Sequence, residues 1–448
     1  MSYLFGLVVV VMSMVFARPI GAAEAPVQKL RVIAETDAGG DPDDEGSLVR
    51  FLLYSNEWDI EGIIADRPKT DNQGCKSGLE LVRKILGAYG DCHANLIKHK
   101  PDYPTHETLY GRTVAGYDDA DDGVKLIIAA LEKDDPRPIW FANWGSNSGT
   151  TSSMKRALDR LKKQKSAEGF ARIVGKIRCT RNAEKFLPHA QDIPLFVDTR
   201  NPDKWYHRFR PLTEKAGGFD VRRDVQNVGP LGKVYSTPKE GDSMAVIYLI
   251  PTGLSDPNQP TWGSWGGRYS PLTKQIGSSG GSMGVKPREG FYWAEAEDTL
   301  GEVTGRDNTL SRWAAALQND FAARMQWSVK GEFGQANHEP VVHCQGDGSR
   351  KVLAIRSPAG GAVRLSAEGS SDPDGDKLSY RWYVYPEAGT YRGKIEIRDA
   401  QEVQASLDLP ADAAGKTVHV ILEVTDSGKP ALTRYRRVVI EGQERQGG

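Results

Sequence analysis

Between Glu35 and Glu45 the chain reads ETDAGGDPDDE, which places six acids, Glu35, Asp37, Asp41, Asp43, Asp44 and Glu45, within eleven residues. Carboxylates gathered away from water raise one another's pKa unless a cation joins them. The stretch contains no Lys or Arg. Converging acids there call for an added cation, and hard oxygen ligands select Ca²⁺ or Mg²⁺. The same residues also suit a solvated acidic turn, because acids at a helix N-terminus are stabilised by the helix dipole. Spacing alone leaves both readings open.

The elements around the acids set where they would point. LRVIAE, Leu30 to Glu35, is a short apolar run ending in polar residues and predicts a buried strand. GSLVRFLLYSN, Gly46 to Asn56, predicts a helix whose broad apolar face carries Leu48, Val49, Phe51, Leu52 and Leu53. A second strand follows over Ile60 to Ala65. Strand, acidic loop, helix and strand make a βαβ unit, which implies a parallel sheet covered by helices. Ligands of such sheets bind beyond the carboxyl ends of the strands, where Glu35, Asp37, Asp43 and Asp44 fall. Gly39 and Gly40 let the loop turn sharply, and Pro42 stiffens it.

The alternation continues. Helices are expected near Leu79–Tyr89, Gly123–Glu132, Ser153–Lys163 and Ser311–Arg324, and strands at PIWFAN, IPLFVD and SMAVIYLI. The texture changes after Phe333. GQANHEPVVH reads as a linker, and AVRLSAEG, LSYRWYVY, ASLDLP and TVHVILEVTD alternate apolar and polar residues between Asp-, Gly- and Pro-rich turns. Short strands at that spacing predict a β-sandwich. The expected division is an α/β domain over 24–335 and a β-sandwich over 336–448.

Whole-chain properties narrow the class. With 58 basic and 59 acidic residues, the 448-residue chain has no basic footprint for a nucleic-acid partner. LFGLVVVVMSMVF, Leu4 to Phe16, is uncharged but too short to span a bilayer comfortably, and small residues follow it. That order predicts a secretory leader over 1–23 and a periplasmic or extracellular protein. Only the terminal amine supplies positive charge before the run, so an uncleaved anchor is the alternative. Cys75, Cys92, Cys179 and Cys344 form no C-x-x-C pair, which disfavours zinc and thioredoxin-like chemistry. Cys75 and Cys92 are close in sequence; a disulfide and buried thiols both remain open.

ETDAGGDPDD resembles the D-x-D-x-x-x-D-D loop that opens nucleoside hydrolases. The match is closer to a bacterial family of cellulose-binding proteins with a nucleoside-hydrolase-like domain and a C-terminal Ig-like domain. It is carried by Thr36–Ala65, by DPRPIW, by LIPTGLSDPNQPTWGSWGGRY, by NDFAARMQW and by GSSDPDGDKLSYRWYVYPEAGTY. The resemblance implies an α/β nucleoside-hydrolase-like domain followed by an Ig-like β-sandwich. It implies that Asp37 binds Ca²⁺ and activates water, that Asp44 is a bidentate metal ligand and that Asp43 hydrogen-bonds the sugar. Glu35 stands where those enzymes have their first Asp. EGDSMAVIYLI resembles the later loop that closes the metal shell, which points to Asp242. The Asn143–Ser153 loop resembles the one that supplies a backbone carbonyl. Glu240 occupies the place of a leaving-group His, so it is the candidate proton donor.

Among glycines, PTWGSWGGRY sets out Trp262, Trp265, Arg268 and Tyr269. Flat rings stack on sugars, and Trp residues also pack long loops onto sheets. Trp262, Trp265 and Arg268 are candidate ligand contacts, with Asn143 and Trp144, although Arg268 could equally hold a structural carboxylate and Asn143 and Trp144 are open in the same way. Asp372, Asp374 and Asp376 surround Gly375 without the Glu that an EF-hand requires, so a turn is expected. Of the histidines, His99, His106, His189 and His207 are loose candidates for an acid. Two functions follow as expectations. One is Ca²⁺-assisted hydrolysis of an N-glycosyl bond in a nucleoside or glycoside; the other is non-catalytic binding of a cellulose-type polysaccharide.

Overall fold

The computed structural model describes residues 28–117, 121–145, 152–182, 188–275 and 285–444. The expected leader and residues 146–151 of the Asn143–Ser153 loop lie outside the described residues.

Leu30–Thr36 forms the first strand, β1, and every residue after Leu30 is buried. A strand covered on both faces must be apolar or have its polar groups paired. Its two charged residues are paired: Arg31 Nε donates to Glu61 at 2.6 Å, and Glu35 accepts from Asn143 Nδ2 at 2.7 Å. Seven further strands join it: β2 (Trp58–Ala65), β3 (Thr113–Ala115), β4 (Ile139–Asn143), β5 (Ile177–Thr180), β6 (Leu195–Asp198), β7 (Ser270–Pro271) and β8 (Phe291–Trp293). Their order is β3-β2-β1-β4-β5-β6-β8-β7, and only β7 with β8 is antiparallel. β1 is flanked by β2 and β4, so the strand order reverses beside it, which is where such sheets place ligands.

Helices cover both faces. α1 (Asp43–Leu53) and α2 (Gly78–His99) pack Leu48, Phe51, Leu52, Leu81 and Ile85 against one face. Helices Asp122–Glu132 and Ser153–Gln164 pack Val124, Ile127, Met154 and Leu158 on the other. One expected strand is absent: within SMAVIYLI, Met244–Ile247 is a buried helical turn. A short, wholly apolar run has no polar positions from which to read its period.

The second part is a β-sandwich. Leu353–Pro358, Thr433–Gln443, Thr417–Thr425 and Ser379–Val384 form one sheet, and Ala362–Ser366, Gln404–Asp408 and Ile397–Arg398 the other. Between them lie Trp382, Leu365, Leu407, Val420 and Ile440. Leu353–Pro358 and Thr433–Gln443, which pair in parallel, escaped the sequence reading. In Thr433–Gln443 the charged run Arg434, Arg436 and Arg437 hides a strand whose arginines are all buried. The DPDGD segment is a turn: Asp372 Oδ1 accepts from the backbone N–H groups of Asp374 and Asp376 at 2.9 and 3.0 Å. All four cysteines are buried free thiols. Among the described residues no helix is long and apolar enough to cross a membrane.

A buried ionic network joins the two parts. Arg324, on the helix Ala314–Trp327, donates to Asp320 at 2.9 Å and Glu57 at 2.6 Å. From the sandwich, Arg434 reaches Asp320 at 2.7 Å, and Arg350 reaches Glu57 at 3.1 Å. Burial alone would raise the Glu57 pKa, but Arg350 and Arg324 together outweigh it and bring it to about 2. A carboxyl lowered on folding contributes stability above its unfolded pKa, here near 4.5, and loses it as pH falls toward 2. Thermal denaturation followed by circular dichroism should therefore show the midpoint falling across that acidic window. Glu57→Gln should flatten this dependence and lower stability at neutral pH by about 3–5 kcal/mol, because it leaves buried guanidinium groups unpaired.

Candidate functional site

At the carboxyl end of β1 the chain passes Thr36 and Asp37 and turns at Gly39, whose φ of 92° favours glycine. It then enters α1 directly at the acids, and Asp43, Asp44 and Glu45 fill its first turn. The helix dipole favours them there. They are not solvated, however: Asp43 is 4% and Asp44 2% exposed. Asp242 arrives from the far part of the domain on the turn Gly241–Ser243. Oxygen atoms of Asp43, Asp44 and Asp242 all lie within 4.8 Å of one another.

Asp37 borders this trio. Its carboxylate packs against Gly145 so closely that a Cβ at that position would collide with it. Burial raises the Asp37 pKa, Arg67 and Arg181 oppose the rise, and Asp43 adds to it. Asp44 is pushed well above the usual range by burial and then by Asp242, Asp37 and Asp43; a hydrogen bond from Thr36 Oγ1 offsets part of this. Asp242 is raised in the same way by burial, with Arg181 opposing. The trio thus contains Asp43, which was expected to face the sugar, whereas Asp37, expected among the ligands, stands beside it.

Arg181 was not anticipated. It follows β5 with a φ of 66° and is buried. Its Nη1 pairs with Asp242 and donates to the Gly241 carbonyl at 3.0 Å, and its guanidinium lies 4.6 Å from the Tyr206 ring centroid. Arg67 donates to the Asp37 carbonyl at 3.3 Å. Four aspartates against two arginines leave a deficit of two positive charges, which one divalent cation would supply. The all-oxygen donor set is buried and suits a hard cation such as Ca²⁺. Asp43, Asp44 and Asp242 are the residues that would hold it.

Other candidates occupy different roles. Glu35 is buried, and burial raises its pKa to about 7; it accepts from the Ser153 N–H and Asn143 Nδ2, both at 2.7 Å, and so ties β1 to β4 and to the helix beyond. Asn143 also accepts from Asn182 at 3.0 Å, so its amide is committed to the scaffold rather than to a ligand. Trp144 is a core residue, 2% exposed and packed edge-on to Phe51.

Glu240 does not suit a proton donor. Its carboxylate accepts from Arg50 through Nε and Nη2, from Tyr235 at 2.7 Å and from Ser243 at 2.8 Å. Four donors hold it as the buried counter-ion of Arg50. Among the loose histidine candidates, His207 is exposed and packs on Tyr206 at 4.1 Å, close enough to Asp43 to feel its charge. His189 pairs with Asp159, and His99 with His338.

The aromatic loop faces the sandwich, not the acids. Trp262 packs on His419, and Trp265 on Tyr435. Arg268 donates to Asp298 at 2.7 Å, and Asp298 accepts from Tyr385 at 2.5 Å. A Cβ on Gly253 would strike the Tyr435 carbonyl, so the glycine permits the two parts to touch. These residues weld the domains together. Arg181, Arg67 and Tyr206 were missed because none lies near the acids in sequence. The strand that positions Arg181, β5, was not among the expected strands either, so no sequence signal marked it.

A family model described as "Cellulose-binding Sde182, nucleoside hydrolase-like domain" matches residues 31–269, and one described as "Cellulose-binding protein Sde0182, C-terminal domain" matches 362–442. Among solved structures, a nucleoside hydrolase-related hypothetical protein from Saccharophagus degradans, described as associated with carbohydrate metabolism, is 32% identical, with a TM-score of 0.74. The likeness covers 93% of this chain and 100% of that one. The PKD domain from KIAA 1837 protein is 19% identical over 22% of this chain and 84% of its own; at a TM-score of 0.17 it carries no argument. No curated protein matches the chain.

An acid raised on folding costs stability as pH climbs past its unfolded pKa. Asp44→Asn mimics the protonated form and can still accept from Thr36. In chelator at neutral pH it should melt a few degrees above the wild type, and scanning fluorimetry checks this.

Proposed function

The chain belongs to the family of cellulose-binding, nucleoside hydrolase-like Sde182 proteins, and on that premise we propose that it is an exported polysaccharide-binding protein with cellulose as its ligand class. In this reading the α/β domain retains a calcium-dependent sugar pocket at the carboxyl ends of β1 and β5. The carrying observation is the pairing of Glu240: the residue at the place of a leaving-group acid is locked to Arg50, Tyr235 and Ser243. Arg181 on Asp242 points the same way, because it gives the cluster a permanent cation of its own. The uncharged run before residue 17 supports export.

A bound calcium ion would complete the charge balance of the cluster and supply a Lewis-acidic point for sugar hydroxyls. The chain's own residues do the rest. Thr36 orients Asp44, and Glu35 with Asn143 fixes the spacing of β1 and β4. Tyr206 and His207 line the approach beside Asp43.

A second reading, hydrolysis of an N-glycosyl bond, is favoured by one observation. Asp37 borders the trio with a carboxyl held above its ordinary range, as a group that accepts a proton from water requires.

Retention of the full mature chain on microcrystalline cellulose, with calcium or with EDTA, tests the first reading. Binding should be at least tenfold weaker in EDTA and in Asp242→Ala, and a nucleoside panel should give no turnover. Release of free base that disappears in Asp37→Ala would instead establish the hydrolase reading. Calcium itself is checked by thermal shift: the wild type should gain several degrees on its addition, and Asp44→Ala should gain none.

A further inference from the structure

A second cleft lies well away from the acidic pocket and shares no residue with it. Its volume is about 470 Å³, within the roughly 300–1,000 Å³ of small-ligand sites. One wall is the helix Ala314–Trp327, through Asn319 and Gln326; the other comes from the sandwich turn at Lys429 and Pro430. Lys330 and Gln335 close the end along the linker. The two parts of the molecule therefore build it jointly, and domain junctions are where ligand sites concentrate.

Its charge is unbalanced. Arg223 is satisfied by Asp224 through bonds of 2.7 Å. Among the described residues neither Lys330 nor Lys429, both of which line the cleft, forms an ion pair, so the lining carries two positive charges without a paired carboxylate. The backbone of Lys330 is anchored, because its carbonyl accepts from His99 at 2.8 Å. Gln326 and Gln335 have no side-chain hydrogen bond among the described residues, whereas Asn319 is held by donation to the Ala431 carbonyl at 2.9 Å. Free carboxamides both donate and accept, as a hydroxyl-rich ligand requires.

The lining also argues against other ligands. Its aromatic residue, Phe219, is 7% exposed and packs toward Phe321, so it offers no face to a neutral glucan ring or a nucleobase. Lysines bind anions as point charges. Volume, free carboxamides and a surplus of two positive charges together suit a ligand that is both polyhydroxylated and carboxylated.

We propose that this interdomain cleft binds acidic oligosaccharides of the uronic-acid type, with Lys330 and Lys429 holding carboxylates and Gln326 and Gln335 reading hydroxyls. The cleft would add a second sugar specificity to the molecule, independent of the acidic pocket and of cellulose retention.

Calorimetric titration of the full chain with trigalacturonate, its methyl ester and inorganic phosphate tests this. Trigalacturonate should bind, weakening tenfold or more as the uncharged methyl ester. The double variant Lys330→Gln, Lys429→Gln should lose binding by a similar factor while its melting temperature and cellulose retention stay at wild-type values. The proposal is overturned if trigalacturonate gives no binding at millimolar concentration, if the double variant binds it equally, or if equimolar phosphate displaces it. Because cellulose retention is read separately, failure here leaves the pocket reading standing, and failure there leaves this one.

Discussion

Four aspartates, three of them buried, gather at the carboxyl ends of a parallel sheet and carry more charge than two arginines can neutralise. Their positions follow from that constraint. Asp44 is held by Thr36 at the end of β1, Asp242 is brought from two hundred residues away, and Arg181 adopts a left-handed backbone conformation to reach it. Gly145 lacks a side chain where the Asp37 carboxylate must fit. Folding a chain around such repulsion is costly unless a cation or a proton joins the carboxylates.

Two ion pairs fix charge at the same sheet end. Arg181 brings a fixed positive charge to Asp242, and Glu240 is withdrawn into an ion pair with Arg50, whose guanidinium also covers the Phe321 ring at 3.7 Å. Both pairings are buried. Binding and catalysis place different demands on the same residues: binding needs a fixed charge pattern, whereas catalysis needs a group free to gain and lose a proton.

The domain junction absorbs much of the molecule's aromatic and basic content. Trp265, Trp313, Tyr385 and Tyr435 meet there edge to face, and Arg324, Arg350 and Arg434 serve the buried acids Glu57, Asp320 and Glu339. An interface of this kind is closer to a domain core than to a flexible hinge. It makes one body of two folds, and it explains why the Trp-rich loop, so like a sugar platform in sequence, is spent on packing.

Much of this was legible without coordinates. The period of apolar residues marked β1, α1 and β2, alternation marked most of the sandwich, and the density of acids marked the pocket, because each is a property of neighbours along the chain. Met244–Ile247 was misread because an all-apolar run has no period, and Thr433–Gln443 was missed because buried arginines look like surface. For Glu240 the sequence did not show the pairing, and for Trp262, Trp265 and Arg268 it left packing and ligand contact both open. Each depends on a partner, Arg50, His419, Tyr435 or Asp298, that lies far away in sequence and arrives only when the sheet and the sandwich close. Sequence determined which side chains were available and on which elements they ride; tertiary structure decided which charges met, and charge pairing is set by distance in space.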